Sequence, residues 1–522
     1  MAQRIVRVNV AQPQEMVSAL VTLREKLKIP EEYPQEAVDD IRTVDLSEYP
    51  DRRDIPFVTI DPPGAADLDQ AMHLSREGDG YLVRYAISAV GLFIEPGSRL
   101  DQEVHNRGVT YYGPDGSIPL HPRELSAGVA SLLEGEDRPA YLWYLHLDSE
   151  GALSHSWVEL AVVRSRAQLT YEEVQESHDT GKVLADDVPA DLTRLLAEIG
   201  RLRIHREIAR GGISLDLPEQ NIEAADGGYQ LVYRAVTEID EWNAQISLLT
   251  GMAAARMMLD AGVGILRTLP AAREKDYVRL RQVAHALDLD WPKDVSYPDY
   301  VRSLNSEEPK HAAFLNEAAG LFRGASYLAL GVEEQESGRD KKNDGGKGGK
   351  NNAGKDAADK DRGDREVGND AYSEHAAIAS AYAHVTAPLR RLVDRYSLEV
   401  CRCLCAGEPI PQWVLDALPK LPREMAKAGQ RASNYENGAI NALEGLILTG
   451  REGEVFYGVV VEASEPKEGS EEQRGSVMLS DPAVEASVTG KNLPVGTDVR
   501  VRLTEVLPTG PRFQLVKGKH AK

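Results

Sequence analysis

The chain has 522 residues, 42% of them hydrophobic and 27% charged, with a formal net charge of −23. That length exceeds one ordinary domain and the composition suits a soluble protein with a sizeable core. The acidic balance excludes a wholly basic surface, though not a local basic groove for a polyanion, and no apolar run reaches membrane-spanning length.

A cytoplasmic monomer with no membrane partner is expected. The three cysteines, Cys401, Cys403 and Cys405, have a spacing that suits neither a zinc knuckle nor a redox pair. In chain order, residues 14–27 carry Met16, Leu20, Leu23 and Leu27 at helical spacing, and 34–41 suit a further turn or two. Residues 1–50 are too few for an independent core and form a short, mainly helical segment. Strands follow: FVTI from Phe57, AMHL from Ala71 and YLVRYAIS from Tyr81, the last two joined by the hairpin signal Gly78-Asp79-Gly80. A second strand pair is predicted at 141–147 and 154–163, and long helices at 195–210 and 236–259. Between those helices, Arg210-Gly-Gly-Ile-Ser-Leu reads as a strand entered through two glycines. Residues 277–287 and 311–321 are again helical.

Residues 333–370 hold eleven acidic and nine basic residues and almost no apolar ones, so a disordered surface insertion is expected. The GGKGGK inside it lacks the preceding strand and the following Ser or Thr of a phosphate-binding loop. Residues 376–405 read as helices around the segment Tyr382-Ala-His-Val-Thr-Ala-Pro-Leu-Arg-Arg, and 424–448 as another helix. The last seventy or so residues show five short alternating strands, the pattern of a small oligonucleotide-binding barrel.

The loop from Thr59 to Met72, TIDPPGAADLDQAM, sets Asp61, Asp67 and Asp69 within nine residues in a Pro-Pro-Gly context. Taken alone, such a cluster is more often a solvated acidic turn. Like charges this close are otherwise stabilised by a divalent cation, and oxygen-only ligands favour Mg²⁺ or Mn²⁺ over zinc. Three segments in order, the D-x5-D-x-D run of Asp61 to Asp69, the Y-A-H-V-T-A-P-L-R-R run of Tyr382 to Arg391 and the five-strand C-terminal unit, resemble the RNase II/RNase R exoribonucleases.

That resemblance implies an α+β fold, with an RNB catalytic domain over 51–447 and an S1 domain of OB-fold type over 450–517. It implies that Asp61, Asp67 and Asp69 hold Mg²⁺ and that Asp69 and Arg390 are catalytic. A fourth position, normally a second consecutive aspartate, is Gln70, whose amide oxygen is expected as a further ligand. Tyr112, Tyr171 and Arg391 are expected at the RNA. The family's glutamate before Ala253-Ala-Ala-Arg falls near Gln245, with Glu241 one turn earlier, and Leu215 replaces an aromatic of the family's RGAISF segment. His384 is expected to be packed rather than basic, and Trp143, Trp157 and Trp242 to serve packing.

The implied activity is metal-dependent, processive 3′→5′ hydrolysis of single-stranded RNA to nucleoside 5′-monophosphates. A catalytically impaired RNA-binding or adaptor protein of the same fold is the alternative. Only about fifty residues precede the RNB segment, too few for the two cold-shock barrels of typical bacterial relatives. A shallower channel that trims 3′ tails close to a duplex is therefore expected.

Overall fold

The computed structural model describes residues 5–6, 13–113, 115–213, 219–225, 228–234, 237–305, 308–322, 324–331, 374–464, 472–479, 484–507 and 510–516. The predicted insertion at 333–370 and Leu215 lie outside the described residues.

The first element that matters for the site is helix α1, Pro13–Leu27, whose buried residues Leu20 and Arg24 lie one turn apart on one face. A closed five-stranded barrel follows, made of β1 (Phe57–Asp61), β2 (Gln70–Glu77) and β3 (Gly80–Ser88), a short hairpin β4 (Tyr111–Gly113) and β5 (Gly116–Ile118) set outside it, and then β6 (Asp137–Leu147) and β7 (Leu153–Thr170). Closure comes from the parallel pairing of β1 with β7, which sets Asp61 opposite Thr170. The two-residue period does the rest. Phe57, Ala71, Ala86, Ala140, Leu142, Ala161 and Val163 meet in one cluster, where small side chains suit a five-strand interior. Their alternates, among them Val58, Met72, Tyr85, Ile87, Trp143 and Leu145, join the large core with helices α2 (Leu192–Arg210), α3 (Glu238–Ala261) and α4 (Leu392–Ala406).

The long helix α5, Leu421–Leu448, bridges two cores. Leu421 and Met425 belong to the barrel's core, while Tyr435, Ala439, Leu443 and Ile447 belong to a second core with Leu20 and Tyr111. That second core continues into a C-terminal closed barrel of β8 (Val455–Ala463), β9 (Gln473–Leu479), β10 (Glu485–Gly490), β11 (Asp498–Leu507) and β12 (Gly510–Leu515), in the order β8-β9-β10-β12-β11. The fold is α+β, as expected. The predicted hairpin and the second strand pair are present, the pair longer than predicted.

One expectation is corrected: residues 376–391 are turns and a two-residue strand pair (Glu374–His375 with Ser380–Ala381), and helix begins only at Leu392. Pro388 removes a backbone donor, and local bonding stops at one turn, in which Arg390 N and Arg391 N donate to the Ala387 carbonyl; the Thr386, Pro388 and Arg390 carbonyls and the Leu389 and Leu392 amides are bound by distant segments, so the helical ladder does not extend. Trp143 and Trp242 are buried, and Trp157 stacks on Tyr144 at 4.3 Å. Cys401 and Cys403 are buried and Cys405 exposed, all as free thiols. Among the described residues no helix is long and apolar enough to cross a membrane.

Candidate active site

The acidic loop runs from the end of β1 to the start of β2, turning at Gly64, whose φ of 80° favours glycine. Its backbone is tied down from four sides. Ser131 Oγ donates to the Ala66 carbonyl and accepts from Leu68 N, and Gln168 Nε2 donates to the Ala65 carbonyl. Ser88 N donates to the Asp69 carbonyl and Leu132 N to that of Leu68. The loop is thereby held in one shape, with Asp61 and Asp67 partly exposed and Asp69 only 5% exposed.

The arginine loop reaches it from more than 300 residues away. Leu389 N donates to Asp69 Oδ1 at 2.8 Å, and Arg390 Nε lies 3.7 Å from Asp69 Oδ2. Gln70 makes the second tie: its Nε2 donates to the Thr386 carbonyl while its Oε1 accepts from the Tyr85 hydroxyl at 2.8 Å. The buried Asp394 carboxylate shapes the turn from within, accepting from Ala387 N at 2.7 Å and from both Nε and Nη2 of Arg391 at 2.9 and 2.8 Å. His121, neutral because burial pushes its pKa down to about 3, donates from Nε2 to the Pro388 carbonyl at 3.0 Å. Ser247 on α3 shares a hydrogen bond with Thr386 Oγ1 at 2.8 Å, and Thr110 N donates to the Arg390 carbonyl.

Two tyrosines flank this meeting point. Asp61 opposite Thr170 puts Tyr171 beside Asp61, at the first residue of the helix Tyr171–Thr180, which Thr170 caps through a reciprocal bond with Glu173. The Tyr171 hydroxyl accepts from Asn243 Nδ2 at 3.1 Å. Tyr112 projects from β4 with its ring 43% exposed and interacts with Arg390, Asp67 and Asp69.

Electrostatics decide whether a cation fits. Burial first, and then Asp67, push the Asp61 carboxyl up to about 6, with Arg390 opposing. Burial pushes Asp69 up to about 8, against the pull of Arg390 and of the Leu389 amide. Among the described residues no three carboxylate, imidazole or thiol groups form a closed metal cage. The fit is one of charge and donor type: three carboxylates on one rigid loop, two of them raised in pKa, with the half-exposed Arg390 the cation that opposes both shifts. A hard divalent cation matches that set.

The structure thus brings Asp61, Asp67, Asp69, Arg390, Tyr112 and Tyr171 to one place. Gln70 is there too, with both amide ends engaged. Arg391, with its side chain 22% exposed, is paired with the fully buried Asp394, the packing alternative to an RNA contact. Gln245 turns away to α2, donating to Glu207 Oε2 at 2.6 Å. His384 is packed, its Nδ1 hydrogen-bonded to the Tyr327 hydroxyl at 2.8 Å. Sequence reasoning did not single out Tyr85, Thr110, His121, Asn243 or Ser247, which carry no local motif. Thr386 and Asp394 were within reach, since both lie in or beside the Tyr382 segment.

Comparison with known proteins places the fold and the family. The RNB domain family matches residues 49–400, and the RNase II-type exonuclease C-terminal S1 domain matches 454–516. Ribonuclease R of Aquifex aeolicus is 24% identical over 468 residues, covering 86% of this chain and 60% of that protein. The human exosome complex exonuclease RRP44 is 28% identical over 300 residues, 55% of this chain and 31% of that protein. The chain therefore spans less than two thirds of the length of these relatives. Among solved structures, Mycoplasma genitalium RNase R in complex with ribose-methylated single-stranded RNA superposes with a TM-score of 0.79 at 15% identity, covering 96% of this chain and 78% of that one. Yeast Ssd1, a pseudonuclease, superposes at 0.65 and 13% identity, covering 95% and 59%. These two likenesses show the fold. With its RNB domain match across two thirds of its length and an S1 domain after it, the chain belongs to the RNase II/RNase R (RNB) family.

Proposed function

We propose that this chain is a metal-dependent 3′→5′ exoribonuclease that degrades single-stranded RNA processively to nucleoside 5′-monophosphates. The observation that carries the reading is the junction at Asp69, where a rigid acidic loop and a half-exposed guanidinium converge from distant parts of the chain. In this reading Asp61, Asp67 and Asp69 hold Mg²⁺, or Mn²⁺ in its place, which when bound supplies positive charge to the oxygens of a phosphodiester under attack. Arg390 offers a fork of donors to the non-bridging oxygens as their charge grows. Arg391 and Asp394 keep that fork aimed, and Gln70 braces the two loops instead of acting as a ligand. Tyr112 and Tyr171 offer ring faces on which any base stacks, which suits a nuclease without sequence preference. The RNB unit occupies 51–447 and the S1 unit 450–517.

The test is digestion of 5′-labelled single-stranded RNA with Mg²⁺ and with chelator. Loss of full-length RNA to a short 5′-labelled remnant with few intermediates, release of 5′-monophosphates and arrest by chelator are expected. A second reading, an RNA-binding or adaptor protein without turnover, is favoured by Gln70 in place of a carboxylate and by the likeness to the pseudonuclease fold. RNA bound but never shortened at any metal concentration would establish it.

A further inference from the structure

The hairpin carrying Tyr112 has only three residue pairs, Tyr111 with Ile118, Tyr112 with Ser117 and Gly113 with Gly116. A ribbon that short does not hold its shape in water without outside support. Its base is fixed to the arginine loop through the Thr110 amide and the bridge between Val109 and Arg391. Its tip is fixed by a side chain from α1. Arg24, 7% exposed, donates from Nη2 to both Asp115 oxygens at 2.5 and 2.6 Å, from Nε to the Tyr435 hydroxyl at 2.9 Å and from Nη1 to Glu31 at 3.1 Å. All three guanidinium nitrogens are committed, and a planar fork of this kind specifies direction as well as charge. Gly113 seats the tip: a Cβ there would meet the Tyr435 hydroxyl at 2.5 Å and Asp115 Oδ1 at 3.1 Å. Tyr111 faces inward, fully buried, its hydroxyl bonded to the Arg107 carbonyl at 2.9 Å. Its neighbour Tyr112 is consequently the residue turned outward, toward Arg390.

We propose that Arg24, through Asp115 and Tyr435, is a positioning residue that sets the Tyr112 ring against Arg390, so that α1 adjusts how tightly the terminal nucleotide of an RNA strand is held. The inference deepens the nuclease reading and rests on it for its substrate. As a structural ion pair alone, Arg24 would act on stability and leave the affinity of the folded protein for RNA unchanged. As a positioning residue it acts on substrate affinity through one particular ring.

A double-mutant cycle on the full chain separates the two, using Arg24→Met, Arg24→Lys, Tyr112→Ala and Arg24→Met combined with Tyr112→Ala. Steady-state KM and kcat on a single-stranded RNA are read together with Kd for the same strand, fluorescently labelled, in chelator. Arg24→Met is expected to raise KM and Kd about fivefold to tenfold with kcat changed less than about twofold, a part of what loss of a stacked base is worth. Arg24→Lys is expected to recover part of the loss. In the Tyr112→Ala background Arg24→Met is expected to add nothing. Wild-type affinity in Arg24→Met, or an equal factor with and without Tyr112, would overturn the proposal. Because the Kd cycle needs no cleavage, failure of the nuclease reading and failure of this one remain separate results.

Discussion

Replacing Asp69 by Asn removes one charge at the most buried carboxylate of the acidic loop while keeping an oxygen to accept from the Leu389 amide. In the chelated protein the Asp69 carboxyl has its pKa raised from 3.8 to about 8, chiefly by burial. A carboxyl whose folded pKa lies above its unfolded value favours the fold as the neutral acid. Its contribution is complete below about pH 4 and declines as pH rises, because from about pH 4 to 8 the folded state binds the proton and the unfolded state does not. At pH 7 the difference amounts to a ceiling of about 4 kcal/mol, from 1.36 kcal/mol per pKa unit. Asn carries no such penalty. In chelator at pH 7, Asp69→Asn is therefore expected to melt several degrees above the wild type, with the gap closing toward pH 4. Mg²⁺ is expected to raise the wild-type Tm and to leave that of the variant nearly unchanged. The same variant is expected to lose at least about a thousandfold in hydrolysis while binding RNA nearly as well, since charge stabilisation in the transition state is of that size. Differential scanning fluorimetry across pH, with and without Mg²⁺, reads the first part. A variant that melts no higher than the wild type at pH 7, or a gap independent of pH, would refute the electrostatic argument; retained turnover would remove Asp69 from the mechanism.

Metal affinity follows from the same shifts. Because Asp61 and Asp69 are raised to about 6 and about 8, Mg²⁺ must displace protons, so its Kd is expected to fall as pH rises from 6 to 8, with proton release seen by calorimetry in two buffers of different ionisation enthalpy. Gln70→Ala cuts the ties to Thr386 and Tyr85 and is expected to lower kcat while leaving the metal-binding midpoint within about twofold; a midpoint shifted tenfold or more would make Gln70 a ligand after all. Asp394→Asn removes the fully buried carboxylate that Arg391 and the Ala387 amide share and is expected to destabilise the protein by about 3 kcal/mol in denaturant titrations, with loss of activity. Gly251→Ala, whose Cβ would meet the Tyr382 ring at 2.1 Å and the Ala383 carbonyl at 2.7 Å, is expected to cost about 1 to 3 kcal/mol by thermal unfolding even though it lies inside a helix that alanine otherwise favours.

What the sequence by itself determined were the features whose physics is local. Apolar spacing foretold α1, the Met252-Ala-Ala-Ala run with its high helix propensity foretold α3, α2 was read as a helical stretch, and alternation with Gly78-Asp79-Gly80 foretold the β2–β3 hairpin. The crowding of Asp61, Asp67 and Asp69 was legible as an acidic cluster that, taken alone, suits a solvated turn; only together with the Tyr382 segment and the C-terminal strands did it make a cation the expectation. The chemistry of the Tyr382 segment was legible as a motif, but its conformation was misjudged as largely helical. Its amides and carbonyls bond to Asp69, Gln70, Gly108 and Thr110, partners no local window contains. Tertiary structure alone decided the rest. It tied Gln70 to Thr386 and Tyr85, paired Arg391 with Asp394, turned Gln245 toward Glu207, and set His121 on the Pro388 carbonyl and Arg24 on Asp115. Each outcome depends on which groups become buried together once the barrel closes and α5 joins the two cores. The cost of leaving a buried polar group unpaired is settled only by the neighbours that folding brings from hundreds of residues away.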